Sequence, residues 1–275
     1  MGSGADAWIV VPVENHRSLV ERVASAKGFS VSDTALGRTS VLYLGVYPER
    51  SCVPAAAEDD SAAVSRDSAT DVSPAGAPEV RLLATGSFPR SASSVVFPKS
   101  RGWERAGSDS GVTWYRSGSM GAAIPRSGLF AMARDFPALL SNLSRSDIAP
   151  VSVPAEFESY LESPALDGRV AFMAASPSAC FSGLLPVGMT LPVDYALFFA
   201  SRQDGVRTGV EGTYSLTGYL QARDVRSARA VAALLKLATG SLQRTPGSGP
   251  RIQGTRVYLE EWTVDTDTLA AFAGF

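Results

Sequence analysis

Histidine is the side chain that most often serves as a general base near neutral pH, and this chain has one, His16. It stands at the start of an apolar helical pattern, where a capping or solvent-facing role is expected. Cys52 sits in a Ser/Ala-rich stretch and Cys180 in an apolar one, so neither CxxC nor HExxH spacing arises. Two separated cysteines also make no disulfide framework. No serine stands in a GxSxG elbow with a histidine to activate it. Glu260 and Glu261 alternate across an expected strand, and Asp59-Asp60 falls in an expected loop, so neither pair offers convergent carboxylates. Gly118-Ser119-Met120-Gly121 and Gly247-Ser248-Gly249 read as turns, because neither continues into a phosphate-cradling motif. Trp103, Trp114 and Tyr115 with Arg101, Arg105 and Arg116 could stack on single-stranded nucleic acid, but strands with a Trp-lined core explain them more simply. The net charge of −2, with basic residues spread along the chain, argues against nucleic acid. The inventory is that of a protein without catalytic machinery, metal or cofactor.

What must position side chains here is an α+β fold. The chain has 275 residues, 45% hydrophobic and 19% charged, enough for a large core. Residues 1–7 read as a disordered start, with Met1-Gly2-Ser3-Gly4 added to a mature protein, and 8–275 as a single domain. Strands are expected at Trp8–Val13, Thr39–Tyr47, Glu79–Phe88, Val112–Ser119, Arg169–Ala175, Val193–Ser201, Val210–Ala222 and Arg251–Val264. A helix capped by Asn15 should bury Leu19, Val20, Val23 and Ala24 and stop at Gly28. Residues 50–78, rich in Ala, Ser, Asp and Pro, read as a mobile surface loop. Pro89 opens a short helix, Ala155–Leu161 forms another, and Asp224 caps a strong one over Val225–Ala238. Leu269–Phe275 reads as a short apolar tail. The expected sheet is mixed and mainly antiparallel, covered by amphipathic helices. A weak internal repeat groups 39–47, 79–88, 89–97 and 112–119 against 193–201, 210–222, 225–238 and 251–264, as two degenerate β-β-α-β halves.

Two apolar stripes stand out. In Leu129–Leu143, the residues Leu129, Met132, Ala133, Phe136, Leu139, Leu140 and Leu143 recur at helical spacing, with Pro137 kinking the helix or starting a new one. Ser178–Leu191 carries Phe181, Leu184, Leu185, Met189 and Leu191 and is cut by Pro186. Helices interrupted this way are held loosely by their own backbone. Core packing, a second copy of the chain and a lipid surface would each bury them. No stretch of about 18 apolar residues suits a spanning helix.

In size, Ala/Ser/Arg/Val-rich composition, mixed α/β pattern and the segments LFAMARDFPALLSNL and SACFSGLLPVGMTL, the chain from Trp8 to Phe275 resembles the outer-membrane-associated lipoproteins of pathogenic treponemes. The resemblance implies α/β/α layers, and an N-terminal acyl anchor in the periplasmic leaflet of the outer membrane. It also implies helices that move, open a hydrophobic cavity and perturb the bilayer. No lipidated cysteine stands at the start, and Cys52 in ERSC lacks a lipobox setting, so the anchor is expected to have been removed with a signal peptide. The resulting expectation is a non-enzymatic envelope lipoprotein. It would touch lipid through Leu129, Phe130, Met132, Phe136, Leu139, Leu140, Leu143, Phe181, Leu184, Leu185, Met189 and Leu191. The alternative is a lipid or fatty-acid carrier whose cavity the same helices line; a homodimer through these stripes is a further option.

Overall fold

In the computed structural model, which describes residues 5–26, 33–47, 79–109, 111–144, 153–175, 177, 192–203, 212–238 and 249–273, the run Ala-Trp-Ile-Val-Val-Pro forms β1 (Ala7–Pro12) and is buried at all six positions. A strand buried on both faces reads as a continuous apolar run, and it belongs at the centre of a sheet. β1 pairs antiparallel with β2 (Thr39–Tyr47) on one side and β8 (Val170–Ala174) on the other. From β2 the sheet continues through β3 (Glu79–Gly86), β7 (Leu129–Ala133), β6 (Met120–Arg126) and β5 (Val112–Ser117) to the edge strand β4 (Glu104–Asp109). From β8 it continues through β9 (Val193–Arg202), β10 (Thr213–Ala222) and β12 (Arg256–Asp265) to the edge strand β11 (Arg251–Gln253). These strands form one 12-stranded sheet whose described pairings are all antiparallel.

The helices are α1 (Arg17–Ala26), α2 (Asp33–Arg38), α3 (Ser93–Val96), α4 (Phe136–Ser144), α5 (Ala155–Glu162), α6 (Pro164–Asp167), α7 (Val225–Ala238) and α8 (Thr266–Ala273). Ile9 and Val11 of β1 join Leu19 and Val20 of α1, Ala228 and Val231 of α7 and Leu269 of α8 in the main core. The alternate residues Trp8 and Val10 join Phe157 and Tyr160 of α5. A third cluster gathers α4 over β6 and β7. Period-two alternation in β1 thus separates the α1, α7 and α8 side from the α5 side.

Several expectations are corrected. The 129–143 stripe is not one helix: Leu129–Ala133 is a strand and α4 starts at Phe136. Gly128, at φ 84, turns the chain into a hairpin with Arg126 opposite Leu129, which fixes an extended register before the helix can begin. Pro137 therefore sits in the first turn of a new helix, where its missing N–H costs nothing. The strands β4 and β6 went unforeseen, as did α2. Arg251–Val264 is a hairpin rather than one strand, because Gly254 at φ 60 puts Gln253 opposite Arg256. Glu261, at φ 53, marks a bulge that leaves Leu259 and Trp262 in the same core, so strict alternation fails there. In the helix expected over Ala155–Leu161, Phe157 and Tyr160 are buried and Leu161 is exposed.

His16 neither caps by its side chain nor meets solvent. It is fully buried, with Nε2 2.8 Å from the Gly168 carbonyl and Nδ1 3.2 Å from the Tyr214 hydroxyl. Its backbone carbonyl, not Asn15, receives the first helical bond of α1, from Val20 N at 3.1 Å. The chain end forms α8, capped by Asp265 Oδ1, which accepts from Thr268 N at 2.6 Å. In the repeat, β10 lies between β9 and β12, whereas β3 lies between β2 and β7. The strand completing the first unit in space is therefore β7, not the 112–119 strand. Cys52, Cys180 and the 50–78 segment lie outside the described residues.

Candidate functional site

The sequence Arg-Asp-Phe-Pro after β7 builds the start of α4. Asp135 Oδ1 accepts from Ala138 N at 3.2 Å, and the Asp135 carbonyl accepts from Leu139 N at 3.1 Å. An aspartate with a proline two residues on is a strong helix-start signal. The expectation that this stripe is held loosely by its own backbone is therefore corrected at the N-terminus of α4, which is capped by side chain and backbone together.

From that fixed start, helical spacing carries Phe136, Leu139 and Leu140 inward, all buried, and Leu143 to a half-buried rim. Leu129 points to the same cluster from the strand below. Phe130 and Met132 do not. Period two in β7 sends them through to the main core, where the Phe130 ring lies 5.9 Å from both Phe88 and Phe97. Phe181, Leu184, Leu185, Met189 and Leu191 lie outside the described residues. Of the residues expected to touch lipid, Leu129, Phe136, Leu139, Leu140 and Leu143 are thus brought together.

The bed beneath α4 is made of small residues: Gly121 and Ala123 of β6, Ala131 and Ala133 of β7. Gly121 is required by close approach, since a Cβ there would stand 2.4 Å from Phe136 Cβ. Trp114 closes one side, its ring 5.7 Å from that of Phe136. Leu83 and Val112 complete the cluster. The sequence placed Ala133 on the stripe and Trp114 in a core, but not beneath or beside α4, and it did not reveal Gly121, Ala123 and Ala131 as the bed or Asp135 as the cap. Only the cap had a legible signal.

Arg81, opposite Ala133 in the β3–β7 register, lies near the start of the helix. It is buried, held bidentate by Glu79 at 2.9 and 3.0 Å, with its guanidinium 4.2 Å from the Tyr47 ring centre. Burial works against its charge. Hydrogen bonds and charge from Glu79 outweigh that, with help from Tyr47 and Asp135, and the pKa is raised. Beyond this polar anchor the cluster under α4 is apolar, with large side chains of the helix seated on glycine and alanine of the sheet. Among the described residues no group of three or more His, Cys, Asp or Glu could hold a metal ion. No described helix is long and apolar enough to cross a membrane.

Known proteins similar to this chain belong to one family. Residues 1–270 match the family model described as outer membrane-associated lipoprotein TP0453. Outer membrane protein TP0453 of Treponema pallidum (strain Nichols) is 25% identical over 126 residues, an alignment spanning 46% of this chain and 34% of that protein. Crystal form I of TP0453 has the same fold at a TM-score of 0.69 and 20% identity, covering 99% of this chain and 94% of that one. Crystal form IV gives a TM-score of 0.66, also at 20% identity, covering 100% and 94%.

Proposed function

The chain belongs to the TP0453 family of outer membrane-associated lipoproteins, and from that premise we propose that it engages and perturbs the outer membrane through α4. Its place is at the outer membrane, as a lipid-anchored protein of the family. The observation that carries the reading is the asymmetry of the α4 seat. Phe136, Leu139 and Leu140 bring large apolar groups from the helix onto a bed of glycine and alanines, in a cluster that also holds Leu83, Val112 and Leu129 of the sheet. Burying three such side chains is worth about 6 kcal/mol at ~2 kcal/mol each. A lipid interface offers a similar return for the same stripe. Leaving the sheet uncovers the small-residue bed together with Leu83, Val112, Leu129 and Trp114, a cost that the lipid contact of α4 offsets, so the balance between the two berths turns on lipid being present.

Release of a trapped dye from phosphatidylcholine vesicles tests this. The protein should release dye, and Leu143→Asp, altering a half-buried rim position of α4, should release several-fold less while keeping its thermal midpoint within a few degrees. No release by the unaltered protein, or equal release by Leu143→Asp, contradicts the proposal.

A further inference from the structure

Ion pairs are distributed unevenly over the molecule. Arg22–Asp267, Arg81–Glu79, Arg169–Asp167, Arg223–Asp194, Arg251–Glu260 and Arg256–Glu156 are paired at 2.7–3.7 Å. Among the described residues none of these pairs involves 87–127. That segment carries Arg90, Lys99, Arg101, Arg105, Arg116 and Arg126 against Glu104 and Asp109, in a chain whose net charge is −2.

Four of these cations gather at one corner of the sheet. Lys99 and Arg101 lie in the turn that leads into β4, and Gly102, which ends it, sits beside Ser117 at the end of β5. In the β4–β5 register Arg116 is opposite Glu104 and Arg105 opposite Tyr115. All four side chains are exposed, and the β4 strand beside them carries two carboxylates, Glu104 at its start and Asp109 at its far end. The aromatic residues interleaved with them turn inward. Phe97 lies 5.1 Å from Trp103 and 4.9 Å from Tyr115, and Trp114 lies against Phe136. By strand alternation Arg116 shares the face of Trp114 and Arg105 that of Tyr115, so exposed cations flank the β4 edge from both faces of the sheet while the rings beside them pack inward. Arg116 is 6.0 Å above the Trp114 ring, so the corner is continuous with the α4 seat.

We infer that this corner is a docking surface for an anionic phospholipid bilayer, with Lys99, Arg101, Arg105 and Arg116 taking the headgroup phosphates. The inference rests on the membrane reading above but names a separate contact and a separate lipid chemistry. Exposed, unneutralised cations flanked by half-buried Trp103 and Trp114 fit an interface where headgroup charge meets the hydrocarbon edge. One acyl chain alone holds a protein only marginally, and a basic patch is the second signal that makes anchoring stable. Docking here would also bring the Trp114 end of α4 to the surface it is to enter.

Flotation with vesicles of phosphatidylcholine alone, and of phosphatidylcholine with phosphatidylglycerol at about seven to three, tests the corner directly. Binding should be at least tenfold stronger to the anionic vesicles in low salt, and that advantage should disappear in about 0.5 M salt, where charges are screened within a few ångströms. Arg101→Glu with Arg105→Glu should lose at least tenfold, given a factor of about five for each cation near the surface. Arg226→Glu with Arg229→Glu makes the same charge change on exposed positions of α7 and should bind as the unaltered protein does. Equal binding to both vesicles, equal loss in the two double variants, or no binding to anionic vesicles overturns the inference. Binding of polyglutamate through the same corner without vesicle binding would also overturn it, assigning the patch to an acidic protein. Salt-sensitive binding without dye release would uphold the corner and sink the role of α4; dye release indifferent to lipid charge would do the reverse.

Discussion

Gly121 and Asp135 hold α4 in opposite ways, one by making room and the other by a bond. A side chain at 121 would collide with Phe136 Cβ and Cγ and press toward the Trp114 ring. Gly121→Val should therefore cost about 1–3 kcal/mol as overpacking does, read from urea denaturation. It should also lower the protein concentration needed for dye release, because the strain acts only on the docked helix. A variant that is destabilised but releases no more dye would show that α4 stays seated. Asp135→Ala removes the cap on Ala138 N and should cost about 1 kcal/mol, with Asp135→Asn restoring most of it. Equal stability of the alanine and asparagine variants would contradict this role. At this scale Phe136, Leu139, Leu140 and Leu143 were legible from spacing. Gly121 was not, because a glycine needed for close approach looks in sequence like any glycine of a turn.

Among elements, α4 and α7 make a useful contrast. The α7 helix spans Val225–Ala238, opens on the Asp224 carboxylate accepting from Ser227 N at 2.7 Å, and sends Ala228 and Val231 into the main core. The α4 helix spans Phe136–Ser144 and packs on β6 and β7 in a separate, smaller cluster. Amide hydrogen exchange should accordingly show α4 opening locally, at least tenfold faster than the α7 amides facing the core, which should exchange with global unfolding. Equal protection would mean that α4 is part of the cooperative core. The same contrast explains what could be read beforehand. Val225–Ala238 has a capping residue, one apolar face and a polar remainder, so every local signal agrees. Leu129–Ala133 is apolar on both faces because clusters lie on both sides of β7, and a run of that kind fits a buried strand and a helix stripe equally well. β4 and β6, with sequences ERAGSD and MGAAIPR, lack the β-branched alternation that marks strands, and tertiary pairing places them.

For the molecule as a whole, the carboxylates that stabilise the fold set its acid limit. Asp167 is held below its ordinary value by hydrogen bonds from Arg169, Glu156 by a backbone N–H and by Arg256, and Asp224 and Asp265 by the backbone at Ser227 and Thr268. Each is depressed in the folded state, so each contributes stability that is present above its unfolded value near about 4 and is lost as pH falls through the folded value. Stability followed by urea midpoint should stay level, as far as these groups govern it, between about pH 7 and 5 and fall below about pH 4. A steep loss near pH 6 would point to a different titrating group. Burial on both sides of one wide antiparallel sheet gives a rigid platform, and the proposed membrane contact needs only a single short helix to move on it. The most direct test places an environment-sensitive fluorophore on Leu143→Cys, with Cys52→Ser and Cys180→Ser, and adds vesicles carrying brominated acyl chains. The probe should shift to the blue and be quenched as α4 enters the hydrocarbon. An unchanged, unquenched emission from protein that floats with the vesicles would contradict it.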